Sequence, residues 1–297
     1  MSDGEIDAIR AQLAASPRPV DLAGRRARLN ALGSHYTIPA DVRVETIRAN
    51  GVAAEWTRTP AADPKRVVIF LHGGGYVSGS LASHRHMVAR LGRDAQAQTL
   101  ALDYRLAPEQ PFPAALEDVL AGYRFLLAEG FLPQHIALAG ESAGGGLALA
   151  AMVSLRDAGE PLPACAWLSS PWTDLAQSGE AMITKEAVDP LIQKPYLDEI
   201  AAAYLHGADV RNPLASPVWA DLRGLPPLLI HVGSAETMLD DSVRIAGVAG
   251  AAGVRATLDI WPDMIHAFTL FYPQLALARQ ALAQAGDFIR TLTPGPG

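Results

Sequence analysis

The sequence predicts an α/β protein: a mostly parallel central sheet flanked by helices on both faces, with a small helical cap. Three observations point there. Short apolar runs rich in Val, Ile and Leu alternate with longer stretches of helical character over most of the chain. One run ends at Gly140-Glu141-Ser142-Ala143-Gly144, a serine set between glycines where a strand turns into a helix. The chain can also bury a large core, with 297 residues of which 49% are hydrophobic.

Residues 1–40 read as amphipathic helix, broken at Pro17, Pro19 and Pro39, because proline lacks the N–H and clashes with the preceding turn. Residues 42–47 and 53–59 read as two strands about Asn50-Gly51, a strong hairpin signal. From there strands and helices alternate. Residues 66–71 form a strand, 83–92 a helix, 98–102 a strand and 114–128 a helix. The strand 136–139 leads into the serine turn and the helix 145–155. Strands at 164–168 and 228–232, a helix at 242–252, a strand at 255–260 and a closing helix at 275–292 complete the pattern. Strands this uniformly apolar are buried on both faces, which suits a parallel sheet covered by helices. Functional groups are then expected at the carboxyl ends of the strands. Residues 178–217 break the alternation: they hold no clear strand but do hold a helical run at 195–205, between Pro190 and Pro213.

Composition removes several classes of function. The net charge is −7 and no Lys/Arg-rich run occurs, so the electrostatic footprint of a nucleic-acid binder is missing. The single cysteine, Cys165, permits no intrachain disulfide and reads as a buried small residue. The first ten residues are acidic, without the apolar core of a secretory signal. No apolar run nears the roughly 20 residues of a membrane span. The expectation is a cytoplasmic protein that binds neither membrane nor nucleic acid. No metal-ligand spacing and no nucleotide-binding glycine motif appears, so no metal or cofactor is expected.

The chemistry legible in the chain is that of an activated serine. A serine that transfers acyl groups needs a base, an acid to orient the base, and donors for the oxyanion. Ser142 is the candidate nucleophile. His72-Gly73-Gly74-Gly75 follows the strand 66–71; without Cβ atoms, its backbone N–H groups can approach a reacting carbonyl. Gly74 and Gly75 are the expected donors, with Ala143 as a third, each contributing about 3 kcal/mol to the transition state. His72 is expected to brace this loop, with His84 or His86 assisting. Of the eight histidines, His266 lies between the last strand and the last helix, and it is the candidate base. His231 falls within a strand and reads as a packed residue. Glu236 is the candidate acid, closest to the end of the strand 228–232, with Asp240 as the alternative. Asp240 and Asp241 also read as charges at a helix start. Asp103, Arg105 and Glu109 read as a charged brace for the glycine loop or the serine turn. Trp172, Tyr196, Tyr204, Trp219 and Phe268 are candidates either for an acyl pocket or, more simply, for the core.

Taken in order, His72-Gly73-Gly74-Gly75, Asp103-Tyr104-Arg105-Leu106-Ala107-Pro108-Glu109, Gly140-Glu141-Ser142-Ala143-Gly144-Gly145 and the His266 loop resemble the hormone-sensitive-lipase-like family of bacterial esterases. The resemblance covers the chain from about residue 40. It implies an α/β-hydrolase fold with a helical cap, hydrolysis of carboxylic esters with short acyl chains, and a homodimer, often through edge strands. The chain then divides into N-terminal cap helices at 1–40, catalytic segments at 41–177 and 218–297, and a cap insertion at 178–217. In that family the position of Glu236 commonly holds Asp, so the longer arm here is a departure, and it leaves Asp240 open. Hydrolysis of amides or lactones, or ligand binding without catalysis, are the competing readings.

Overall fold

A computed structural model describes residues 3–294. Two helices come first, α1 (Asp3–Ala14) and α2 (Leu22–Ser34). They are separated at Pro17 and Pro19, and the Asp21 side chain caps α2 by accepting from the Gly24 N–H. The hairpin β1 (Arg43–Ala49) and β2 (Val52–Arg58) turns at Asn50 and Gly51, both at positive φ. Then follow β3 (Asp63–Leu71), α3 (Leu81–Asp94), β4 (Ala97–Leu102) and α4 (Ala114–Ala128). Next come β5 (Ile136–Glu141), α5 (Ala143–Asp157) and β6 (Cys165–Ser169). A short α6 (Ala181–Thr184) and α7 (Lys194–Leu205) occupy the stretch where the sequence shows no strand. The chain closes with β7 (Leu228–Gly233), α8 (Leu239–Ala251), β8 (Ala256–Trp261) and α9 (Ala276–Leu292).

The eight strands form one sheet in the order β1-β2-β4-β3-β5-β6-β7-β8. The β1–β2 and β2–β4 pairs are antiparallel, and all the others are parallel. Side chains alternate across it with the two-residue period of a strand. Val67, Ile69 and Leu71 of β3 join a core layer with residues of α4, α5 and α8, while Val68 and Phe70 join the opposite layer with α3 and α9. Each such side chain, fully buried, contributes about 1.5–3 kcal/mol. Cys165 belongs to the second layer, and burial pushes its thiol up to about 12.

Several elements run longer than the sequence pattern suggested. The helix expected at 83–92 extends to Leu81–Asp94 because Ser80 and Ser83 form a reciprocal capping box. The Ser80 hydroxyl also donates to Asn30 at 2.6 Å, tying α2 to this end of α3. Helix α7 packs near the N-terminal helices: Arg25 makes an ion pair with Glu199, and the Arg18 guanidinium lies 3.6 Å over the Tyr196 ring.

Candidate active site

β5 ends at Glu141 and α5 begins at Ala143, so Ser142 alone makes the turn. Its backbone sits at φ 54° and ψ −120°, a strained setting for any residue with a side chain. Neighbours hold it there. The Ser142 N–H donates to the Ser169 carbonyl at 2.9 Å, and the Ser142 carbonyl accepts from Gly145 and Trp172, each at 2.9 Å. At Gly144 a Cβ would strike the Leu71 carbonyl, so only glycine lets α5 start this close to β3.

Two loops bring a ring and a carboxylate to the serine. His266 follows β8, and Glu236 follows β7. The loops are joined by the Ala235 N–H donating to the Met264 carbonyl at 3.0 Å. His266 Nδ1 lies 2.6 Å from Glu236 Oε2, and Nε2 lies 3.0 Å from Ser142 Oγ. The carboxylate accepts, so Nδ1 carries a proton, and in the neutral ring the Nε2 lone pair faces the hydroxyl. The remaining Glu236 oxygen accepts from the Gly233 N–H at 2.7 Å and the Ser170 hydroxyl at 2.9 Å. Those two bonds seat the extra methylene of a glutamate. All three site side chains are buried.

Burial disfavours the charged form of His266, but the hydrogen bond to Glu236 and the charges of Glu236 and Glu141 outweigh it and raise the ring to about 9. Burial pushes Glu236 upward too, against the hydrogen bond from His266. The raised value belongs to the second proton, at Nε2, while the Nδ1 proton stays on the ring in the short bond to Glu236.

The glycine loop has free donors. Gly74 and Gly75 sit at φ 119° and 65°, and among the described residues nothing accepts from their N–H groups. Ala143 is the first residue of α5, where an N–H has no partner within the helix. His72 donates from Nδ1 to the Gly73 carbonyl at 2.9 Å and stacks on Tyr104, with centroids 4.2 Å apart. Burial, and then His84, lower the His72 ring to about 3, so it stays neutral. Tyr104 also donates from its hydroxyl to the His72 carbonyl at 2.6 Å. His84 reaches the loop as well, since its Nε2 lies 3.3 Å from the Gly73 nitrogen and 2.9 Å from Glu141 Oε2.

The structure brings Ser142, His266 and Glu236 together beside Gly74, Gly75 and Ala143. Asp240 is elsewhere, accepting from the Ala181 N–H at 2.8 Å, and Asp241 accepts from the Thr173 and Asp174 N–H groups. His231 is buried and accepts from the Trp167 indole. The expected brace of Asp103, Arg105 and Glu109 is not formed. Arg105 turns to Asp118 and Glu117, and Glu109 turns to Arg26. Tyr104, between them in sequence, does the bracing, because its neighbours' charges find partners at the surface. Sequence reasoning also passed over Glu141, which faces His266 Nε2 at 3.8 Å. Its one signal was its place inside the serine motif.

A cavity of about 150 Å³ opens onto Ser142 and His266. Its apolar lining includes Leu197, Ile200, Met238, Leu270 and Phe271. Of the aromatic candidates, Trp172 and Tyr196 line it, Tyr204 and Phe268 are core, and Trp219 is 42% exposed. Among the described residues no group of three His, Cys, Asp or Glu side chains is placed to hold a metal, and no helix is long and apolar enough to cross a membrane.

The chain is similar to known hydrolases in sequence and in fold. Residues 68–270 match a family model described as the alpha/beta hydrolase fold. An acetyl-hydrolase of Streptomyces hygroscopicus is 47% identical over 89% of this chain and 86% of its own length. An esterase of Acinetobacter venetianus is 34% identical over 84% of this chain and 83% of its own. Among solved structures, an esterase of the bacterial hormone-sensitive lipase family superposes with a TM-score of 0.96 at 45% identity, covering 99% of this chain and 100% of its own.

Proposed function

The chain belongs to the alpha/beta hydrolase family, in its bacterial hormone-sensitive-lipase-like branch, and from that premise we propose that it is a serine carboxylesterase cleaving short-chain acyl esters. The enzyme is a carboxylic ester hydrolase, as relatives named esterase and acetyl-hydrolase suggest. In the proposed mechanism Ser142 Oγ attacks the ester carbonyl while His266 Nε2 takes its proton. Glu236 holds the tautomer and stabilises the imidazolium without accepting the proton itself. The Gly74, Gly75 and Ala143 N–H groups carry the oxyanion. His266 then protonates the departing alkoxide. Water repeats the cycle on the acyl-enzyme, releasing the acid and free Ser142.

One observation carries the reading: the unbroken line from hydroxyl to imidazole to carboxylate, at 3.0 and 2.6 Å, beginning on a strained serine. Support for short acyl chains comes from the size of the cavity, about that of an engineered void that binds benzene. In this reading residues 1–40 and 178–217 form the cap over the catalytic segments 41–177 and 218–297. A cytoplasmic location is consistent with the lone buried cysteine. The substrate is a small-molecule ester, and the acting form is a homodimer.

The test is hydrolysis of p-nitrophenyl esters from acetyl to palmitoyl by wild type and Ser142→Ala. Turnover should be greatest on short chains and vanish in the variant. Retained turnover in Ser142→Ala would remove the serine from the mechanism, and faster turnover of palmitoyl than of butyryl esters would remove the short-chain preference.

A further inference from the structure

The cavity that opens onto Ser142 is apolar in its depth and basic at its mouth. Arg18, Arg25 and Arg28 all line it. They come from one short N-terminal stretch and are partly exposed, whereas Leu197, Ile200 and Met238 behind them are buried. Arg25 is committed: both its terminal nitrogens bond Glu199, at 2.7 and 3.1 Å. Arg18 and Arg28 have no hydrogen-bonded or ion-paired partner among the described residues. The Arg18 guanidinium sits over the Tyr196 ring, with 3.6 Å from its carbon to the centroid. That contact holds the guanidinium against the ring while its N–H donors bond nothing else among the described residues.

This arrangement costs energy as it stands. Burial lowers both guanidinium groups, and at Arg18 the charges of Arg25 and Arg28 add to it, against the opposing influence of Tyr196 and Asp189. The carboxylates nearby bond neither of them, although Asp189 favours the charge of Arg18 from a distance. Glu199 serves Arg25. The Asp189 carboxylate is occupied by the N–H groups of Leu191, Ile192 and Thr237. Glu141 and Glu236 face His84 and His266. Two partly desolvated cations therefore stand without a bonded carboxylate among the described residues, in a chain whose net charge is −7. Cations removed from water call for a partner, and both line the cavity that opens onto Ser142.

We infer that Arg18 and Arg28 form an anion subsite, and that the preferred substrates are esters carrying a free carboxylate remote from the scissile carbonyl. The inference rests on the ester-hydrolase reading and narrows its substrate class. The apolar depth takes the uncharged part of the ester, and the planar guanidinium edges take the carboxylate.

Matched pairs test it. On the acyl side, monomethyl esters of succinate, glutarate and adipate are compared with the same esters whose free acid is a carboxamide. On the alcohol side, the acetate ester of γ-hydroxybutyrate is compared with that of its amide. In at least one series the acid should exceed its carboxamide in kcat/KM by about tenfold, a difference of about 1.4 kcal/mol. That ratio should shrink with added salt and fall in Arg18→Gln and Arg28→Gln, while Arg28→Lys, which keeps the charge, retains most of it. Equal rates for acid and carboxamide in both series would overturn the subsite, as would a preference that survives both glutamine substitutions. p-Nitrophenyl butyrate, run beside these pairs, separates the two readings. If it is not hydrolysed, the ester-hydrolase reading fails together with the subsite. If it is hydrolysed and acids are not preferred, only the subsite fails.

Discussion

At the scale of single residues the site is governed by how many carboxylates face His266. Glu236 holds Nδ1, and Glu141 faces Nε2 at 3.8 Å. The serine-motif glutamate thus places a second negative charge beside the ring, on the side from which the proton must be taken. A general base works as the neutral imidazole, so kcat/KM rises as pH rises through the histidine pKa. The sequence alone suggests loss of activity below about pH 6, the range of an ordinary histidine. With the ring raised to about 9 by Glu236 and Glu141 against the pull of burial, the limb moves upward. The acid limb of kcat/KM should have its midpoint above 6.5, with activity still climbing from pH 7 to 8. Glu141→Gln should shift that midpoint down, because it removes one of the charges that favour imidazolium. A profile flat from pH 6 upward in wild type, or a midpoint unmoved in Glu141→Gln, would contradict this account.

At the scale of elements, what could be read in advance was whatever repeats along the chain. The strands announced themselves because both their faces are buried, and α4 was read at its observed bounds, Ala114–Ala128. The brace of the glycine loop was legible in part: the sequence points to His72 and to His84 or His86, and both His72 and His84 bond the loop, but not to the partners that lie far apart in sequence, Tyr104 reaching His72 across 32 positions and His84 reaching Glu141 across 57. Charged residues drew attention to the segment after β4, yet they bond outward and the tyrosine bonds inward. Tyr104→Phe keeps the ring stacked on His72 and removes only the hydroxyl. It leaves the His72 carbonyl without its donor, at an expected loss of about 1 kcal/mol in stability. If the loop supplies oxyanion donors, the kinetic effect should fall on kcat more than on KM, since a displaced donor weakens the transition state rather than substrate binding. Measuring both constants for p-nitrophenyl butyrate, with urea unfolding alongside, distinguishes this from simple loosening, which would lower stability and leave kcat alone.

At the scale of the whole molecule the sheet has two ends, and they are treated differently. β1 pairs only with β2, and its free edge belongs to a largely exposed strand carrying Arg43, Glu45 and Arg48. Charges of this kind discourage another strand from adding. β8 pairs only with β7, has Asp259 as its one charged residue, and is half-buried along most of its length. Ile260 on β8 is 46% exposed, and Val243 on the neighbouring α8 is 43% exposed. An edge with free backbone groups and apolar side chains beside it is suited to pairing with its own copy about a twofold axis. The sequence suggested a dimer through its family resemblance alone. The end at which a dimer would form depends on sheet order, which the pattern of strands does not reveal because β3 and β4 exchange places in the sheet. Sedimentation at micromolar concentration should therefore find a dimer. Ile260→Lys, which sets a charge on each side of the twofold, should shift it to monomer while Val44→Lys on β1 leaves it dimeric. A wild type that sediments as monomer, or an Ile260→Lys variant that remains dimeric, would show that β8 is not the interface.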